Sequence, residues 1–481
     1  MKQKLLQKIL IKTLSVLLSF NFFINVSFAQ EVMLPTPLTS EQPLTLADVL
    51  EEAKKNNPEI LVARKKWEEE KAKVWSIAWP DPEVGVEYWG KNETWYDVSQ
   101  TIPFPGKQEL KRKAQRHEAK RQLELYQAKE KEILQKVKAA YYGYFLARRQ
   151  IEIFEQSVGF LEHFSKVAES KYSVKQATQV DVLKAQVEYS KSLNILVTLS
   201  QDKETTQAEL NALLDRRPDV PLGKPIEPPL PSVDLNYEDL ENIGLENRPE
   251  VHAARHHVDH MKAEQWATRA DFLPDTMIQY SRRTFDGGDM KDDNIVMVKF
   301  NVPILWFWRQ GSLVKAAKKA KEGAEAELRS METMTRYDLK SMLVKVQTAR
   351  RLIKLYRSSV LPQSEASLNI ALAGYEAGTN GFLDLIDSER SWLEFQMEYY
   401  QYLAEYWSYL AALERIAGKD LTPMEMKASV ETKDMKAKVA QNEMAHLEKI
   451  DRHEIDDNKV NFWQRIFRIG QKKEATHHEK P

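Results

Sequence analysis

The sequence predicts a mainly helical chain with a small β part, one architecture laid down twice, and three observations predict it. First, Tyr172-Ser-Val-Lys-Gln-Ala-Thr-Gln-Val-Asp181-Val-Leu returns as Tyr375-Glu-Ala-Gly-Thr-Asn-Gly-Phe-Leu-Asp384-Leu-Ile, at an offset of 203 residues that also carries Leu210 onto Leu413 and Leu213 onto Ile416. Second, two long stretches ending at Tyr172 and Tyr375 keep apolar residues at helical spacing, such as Val137, Ala140, Tyr141, Tyr144 and Phe145. Third, short segments ahead of those stretches switch to alternation with a period of two.

At the start, Lys2, Lys4, Lys8 and Lys12 precede an apolar run from Leu14 to Phe23, and Ser27-Phe28-Ala29 supplies small residues where a signal peptidase cuts. Residues 1–29 are therefore expected to be a signal peptide, with the mature chain starting at Gln30. The first repeat is expected over residues 30–217, a Pro-rich linker over 218–235, the second repeat over 236–418 and a charged tail over 419–481.

Each repeat opens with a helix, Leu46 to about Ile77 and Tyr237 to about Ala270. Val84, Val86 and Tyr88, then Val98, Ile102 and Phe104, alternate with polar neighbours, as do Val296, Val298, Phe300 and Val302. They predict strand hairpins over about 83–104 and 276–303, turning at Gly90-Lys-Asn-Glu-Thr94 and Asp286-Gly287-Gly288-Asp289. Alternation alone suits a small soluble sheet as well as a membrane barrel. The flanking Trp79, Trp89, Trp95, Tyr96, Trp306 and Trp308 favour the barrel, where aromatics would form an interfacial belt. Four strands cannot close a pore, so several chains must share one barrel.

A helix from Gln108 to about Tyr172 follows, free of proline. At ~1.5 Å per residue it is about 100 Å long, too long for a compact globule. Its counterpart runs from Gly311 to Tyr375, and Gly159 and Pro362 occupy matching positions, which predicts a shared bend. After each repeated turn comes a shorter helix, about Val180 to Leu214 and about Leu383 to Ala417, giving two antiparallel hairpins. Slabs of this kind bury their apolar stripes only against neighbours, which argues for assembly.

Composition excludes several classes. Charged residues make up 29% of the chain yet the net charge is -1, so no basic nucleic-acid surface is expected. There is no cysteine, hence no disulfide, thiolate metal site or lipid-bearing cysteine. No apolar window of ~18 residues follows Gln30, so a membrane would be entered only as a barrel. Phosphate loops, nucleophile elbows and His-Glu-x-x-His are absent from the sequence, and neither an enzyme nor a cofactor is expected.

The duplicated halves, each with a strand hairpin between helices, the Tyr375-Glu-Ala-Gly378-Thr turn and the following Asp384-Leu-Ile-Asp387 together resemble TolC-like outer membrane efflux proteins, over about Leu44 to Gly418. The resemblance implies a homotrimer: a helical barrel through the periplasm and four strands per chain in one shared transmembrane β-barrel in outer-membrane lipid. It further implies a passive exit duct bridged by a periplasmic adaptor to an inner-membrane pump. Ile102-Pro103-Phe104-Pro105-Gly106-Lys107 looks like the cation and heavy-metal branch served by resistance-nodulation-division pumps. The competing readings are a periplasmic adaptor and an exported structural coiled coil.

In that family the aspartates matching Asp384 and Asp387 ring the tunnel's periplasmic entrance, and threefold symmetry would bring like carboxylates together there. Asp181 and Asp384, present in both repeats, are also well placed to stabilise helix N-termini, the favoured reading for them. Asp387, replaced by Lys184 in the first repeat, is the better gate candidate. By the same resemblance the turns Lys175, Gln176, Ala177, Thr178 and Gly378, Thr379, Asn380, Gly381 form the tip that meets the adaptor. His252, His256 and His260 fall on one helical face, but no second carboxylate at ligand spacing completes a metal set, and a solvated face is the expected role.

Overall fold

A computed structural model describes residues 43–89, 93–228, 230, 236–285, 291–301 and 307–421. The signal-peptide reading, residues 90–92 and 286–289 of the hairpin turns, Val302, Trp306, most of the linker's second half, the Phe462-Trp463 stretch and the His477-His478 pair lie outside the described residues.

Each repeat opens with two helices where the sequence suggested one. In the first, α1 (Leu46–Asn56) gives way to α2 (Pro58–Ser76). Asn57 makes the break: its side-chain oxygen accepts from the amides of Glu59 at 2.9 Å and Ile60 at 3.3 Å, and Pro58 takes the first helical position, where no amide donor is needed. In the second, Pro249 does the same between α5 (Tyr237–Asn247) and α6 (Pro249–Ala270).

Strand β1 (Glu83–Trp89) and β2 (Glu93–Ile102) follow α2, and β3 (Asp275–Phe285) and β4 (Asp293–Asn301) follow α6. All neighbours pair antiparallel in the order β1-β2-β3-β4, so the two repeats meet along β2 and β3, and among the described residues the outer edges of β1 and β4 stay open. The register gives the sheet two unlike faces. Val84, Val98, Tyr280 and Val296 line up across all four strands on one face, every one of them exposed. On the other face Asp97 accepts from Ser281 and from Gln279 at 3.0 Å, and Lys299 donates to Gln279 at 2.7 Å.

This register corrects the expected aromatic belt. Trp89 and Trp95 alternate onto the polar face, where Glu87 and Glu93 accept from their indoles at 3.2 and 2.6 Å. The aromatics of the apolar face are Tyr88, Tyr96, Tyr280 and Phe300.

Helix α3 (Lys107–Ser173) spans 67 residues, about 100 Å at ~1.5 Å each. It returns through α4 (Gln179–Leu213). In the second repeat α7 (Phe307–Leu355) passes through one π-helical turn, Tyr356–Val360, into α8 (Leu361–Ala377), and α9 (Phe382–Ala417) returns. The expected shared break is therefore confined to one repeat. Gly159 keeps its amide and α3 stays α-helical through it, whereas Pro362 has none to donate, and the wide turn just before it absorbs the defect.

Two apolar clusters hold the helices together. The larger joins Tyr141, Tyr144, Leu210, Leu339, Ile353 and Tyr406, from both repeats. The second lies toward the far end, with Leu161, Phe164, Leu368, Tyr375, Leu385 and Trp392. Each such side chain contributes about 1.5–3 kcal/mol on burial. Tyr141 does more: its hydroxyl donates toward the carbonyls of Leu44 at 3.0 Å and Ile226 at 3.2 Å and accepts from the Ile226 amide at 3.1 Å. That clasp ties the strand-like bridge between Leu44 and Pro225 to the middle of α3. Gly418 closes the body with φ +69, its Cα pressed against Asn247 at the α5–α6 junction.

Candidate functional site

The end of the molecule remote from the sheet is formed by two turns of matching geometry. Lys175 has φ +64 and Gly378 has φ +80, the left-handed stop of a helix C-terminus. In each turn the next amide reaches back to the last helical turn, Gln176 to the Lys171 carbonyl at 2.8 Å and Thr379 to that of Gly374 at 2.9 Å. Lys175, Gln176, Thr178, Gly378, Thr379 and Gly381 are exposed, and Ala177 and Asn380 partly so. The turns are joined by Lys171, whose ammonium donates to the carbonyl of Tyr375 and, at 3.1 Å, to that of Glu376. It thus caps the C-terminus of α8, where a cation is favoured by the helix dipole. This role of Lys171 has no repeat signature, because its counterpart in the second repeat is Gly374.

Asp181 and Asp384 are spent on helix starts. Asp181 accepts from the amide and hydroxyl of Thr178 at 3.0 and 2.8 Å, closing a capping box, and Asp384 accepts from the Gly381 amide at 3.2 Å. Asp387 is different. Its side chain is 75% exposed, and Arg390, 3.9 Å away, is turned instead to Glu188 at 2.7 Å. Burial of Glu188 opposes ionisation, yet the hydrogen bonds from Arg390 and Lys191 hold its carboxyl below the usual range. Two residues beyond Asp387 on α9, the buried carboxyl of Glu389 accepts from Ser157 of α3, a polar contact between the hairpins that the sequence did not signal.

The three candidate histidines of α6, His252, His256 and His260, do not converge on one point. His252 contacts the Glu246 carbonyl at 2.7 Å and His260 the Ala114 carbonyl at 2.9 Å. His256 instead faces His117 of α3, their ring centres 6.4 Å apart.

No helix among the described residues is long and apolar enough to cross a membrane. An open sheet, apolar on one face and polar on the other, mounted on a shaft of helical hairpins, is the protomer architecture of an outer-membrane channel. The sequence matches the outer membrane efflux protein family over residues 49–216 and 242–419, and since these take in well over half of the chain, it belongs to that family. It is 24% identical over 414 residues to the cobalt-zinc-cadmium resistance protein CzcC of Cupriavidus metallidurans, covering 84% of this chain and 97% of CzcC. The solved structure of CusC, whose description concerns folding and transmembrane channel formation, superposes with a TM-score of 0.67 at 16% identity over 81% of this chain and 96% of that one. The outer membrane protein VceC of Vibrio cholerae gives a TM-score of 0.66 at 17% identity, covering 78% and 96%. Family and fold are those of efflux channels rather than enzymes.

Proposed function

We propose that three copies of this chain, exported by a signal removed after Ala29, assemble into a passive exit duct across the outer membrane. Their sheets join edge to edge into one barrel, and their helices continue as a tunnel into the periplasm. The carrying observation is the two-faced sheet: a lipid-ready row of Val84, Val98, Tyr280 and Val296 backs a hydrogen-bonded polar face, while both outer edges lack partners among the described residues. Strands β2, β3 and β4, of 10, 11 and 9 residues, have the ~9–11 residues that a tilted crossing needs. An uncovered apolar stripe of Val180, Leu183 and Val187 on α4 supports assembly through the helices as well. A periplasmic adaptor or an exported coiled coil leaves the apolar sheet face without a solvent.

The turns at Lys175–Thr178 and Gly378–Gly381 meet a periplasmic adaptor, which couples the duct to an inner-membrane pump of the resistance-nodulation-division type. The cargo is metal cations or small toxic compounds, a reading supported by the resistance for which the relative CzcC is named. Asp387 is the selectivity residue of the entrance. Three copies around the tunnel axis at about 8 Å spacing, with an effective dielectric near 20, repel pairwise by about 2 kcal/mol and draw cations between them. Single-channel recording of the purified oligomer in planar bilayers tests the proposal. Conduction with a preference for cations is expected; a protein that stays monomeric and dissolved without detergent refutes it.

A further inference from the structure

We infer that His117 of α3 with His256 and Asp259 of α6 forms a divalent-cation site that clips the first repeat to the second. His256 and Asp259 are three apart and so share a face of α6, and that face meets His117 across the helix pair. One ligand atom from each of the three lies within 4.8 Å of the other two, and the His117 Nδ1 to Asp259 Oδ2 separation is 3.9 Å. Around a tetrahedral ion with bonds of about 2.0 Å, donors stand about 3.3 Å apart, so modest side-chain rotation closes the set.

An independent observation points the same way. Nδ1 of His117 and Nδ1 of His256 are both buried with no hydrogen-bond partner among the described residues, a costly arrangement that a bound ion relieves. Burial holds both imidazoles below the ordinary histidine range, which favours the uncharged form that a metal requires. Lys113 and Lys120 oppose an added positive charge near His117, while Asp259 and Glu124 favour it. Two imidazoles, one carboxylate and a water suit a borderline first-row ion such as Zn²⁺ or Co²⁺ rather than Ca²⁺ or Mg²⁺, which prefer all-oxygen sets. His252 and His260 are engaged by backbone carbonyls and lie outside the set.

The site is read on the purified protein, independently of transport. The full chain carrying His477→Ala and His478→Ala, with no affinity tag, is stripped by chelator and titrated with Zn²⁺ by calorimetry and with Co²⁺ by visible absorption. One ion per chain is expected, with the absorption of a four-coordinate Co²⁺ that Zn²⁺ displaces and a melting temperature raised by Zn²⁺. His256→Ala should lose all three signals, Asp259→Asn should weaken binding, and His252→Ala should keep them. Should His256→Ala fail to fold, His117→Gln carries the same expectation. Absence of a bound ion in the parent, or equal binding by the His252→Ala and His256→Ala chains, overturns the assignment.

Discussion

Val296 and Met297 are consecutive residues of β4 on opposite faces of the sheet, and they give the sharpest test of the membrane reading. Val296 pairs with Tyr280 in the apolar row and is 68% exposed, whereas Met297 pairs with Gln279 beside the Asp97–Ser281 network. Both lie in the central part of the 9-residue strand, so an arginine at either sits at nearly the same depth. On a lipid-facing position near the midplane it costs about 2–4 kcal/mol, and in the proposed three-copy assembly this becomes about 6–12 kcal/mol, enough to empty the inserted state. On a water-facing lumen position the cost is about 0–1 kcal/mol. Val296→Arg should therefore abolish the outer-membrane oligomer seen by membrane fractionation and unheated gel electrophoresis. Met297→Arg should leave it in place and alter conductance only. Equal loss from both, or the reverse ranking, would show that this sheet does not divide lipid from water.

Other expectations follow from individual contacts. Asp387→Ala should weaken the cation preference of single channels, while Asp384→Ala should cost about 0.5–2 kcal/mol of helix stability through the lost cap with selectivity unchanged; swapped effects would remove Asp387 from the entrance. Burial pushes Glu389 above the usual carboxylate range against the opposing hydrogen bond from Ser157, so its contribution to stability is complete below the ordinary carboxylate value and is lost as pH rises through the folded-state value. Glu389→Gln should accordingly flatten the fall of melting temperature as pH rises above the ordinary carboxylate value, and parallel melting curves for the two proteins would disprove this. Gly418→Ala combines φ +69 with a Cβ 2.2 Å from the Asn247 oxygen, whereas Gly378→Ala at φ +80 meets nothing within 4 Å. The first should cost roughly 2–5 kcal/mol and the second roughly 1–2, as read by denaturant unfolding; a milder effect at Gly418 would count against the described packing.

The chain's duplicated, mainly helical plan was legible because it rests on local signals: a period of 3.6 over tens of residues, a period of two in the strands, and a turn written twice. The Asn57-Pro58 break carries a signal that the apolar spacing masks: that spacing continues across it, while the residue before a proline avoids the helical region. Gly159 and Pro362 looked equivalent by position, yet only a missing amide forces a helix to widen. The faces taken by Trp89 and Trp95 depend on register, which the pairing partners fix and the aromatic residues themselves do not. Ser157 against Glu389, Lys171 across the two turns, and His117 opposite His256 are contacts between residues more than a hundred positions apart. Nothing in the local pattern around any one of them names its partner.

The π-helical turn leaves the two hairpins mechanically unequal. One is a continuous α-helical strut from sheet to tip; the other contains a π-helical turn of 5 residues, where the regular α-helical hydrogen-bond ladder is interrupted. Under a pull applied to both tips, torsion is expected to collect at Tyr356–Val360, so that the second arm swings while the first holds station. Spin labels on Asn380 and Gln176 would register that asymmetry as unequal displacement.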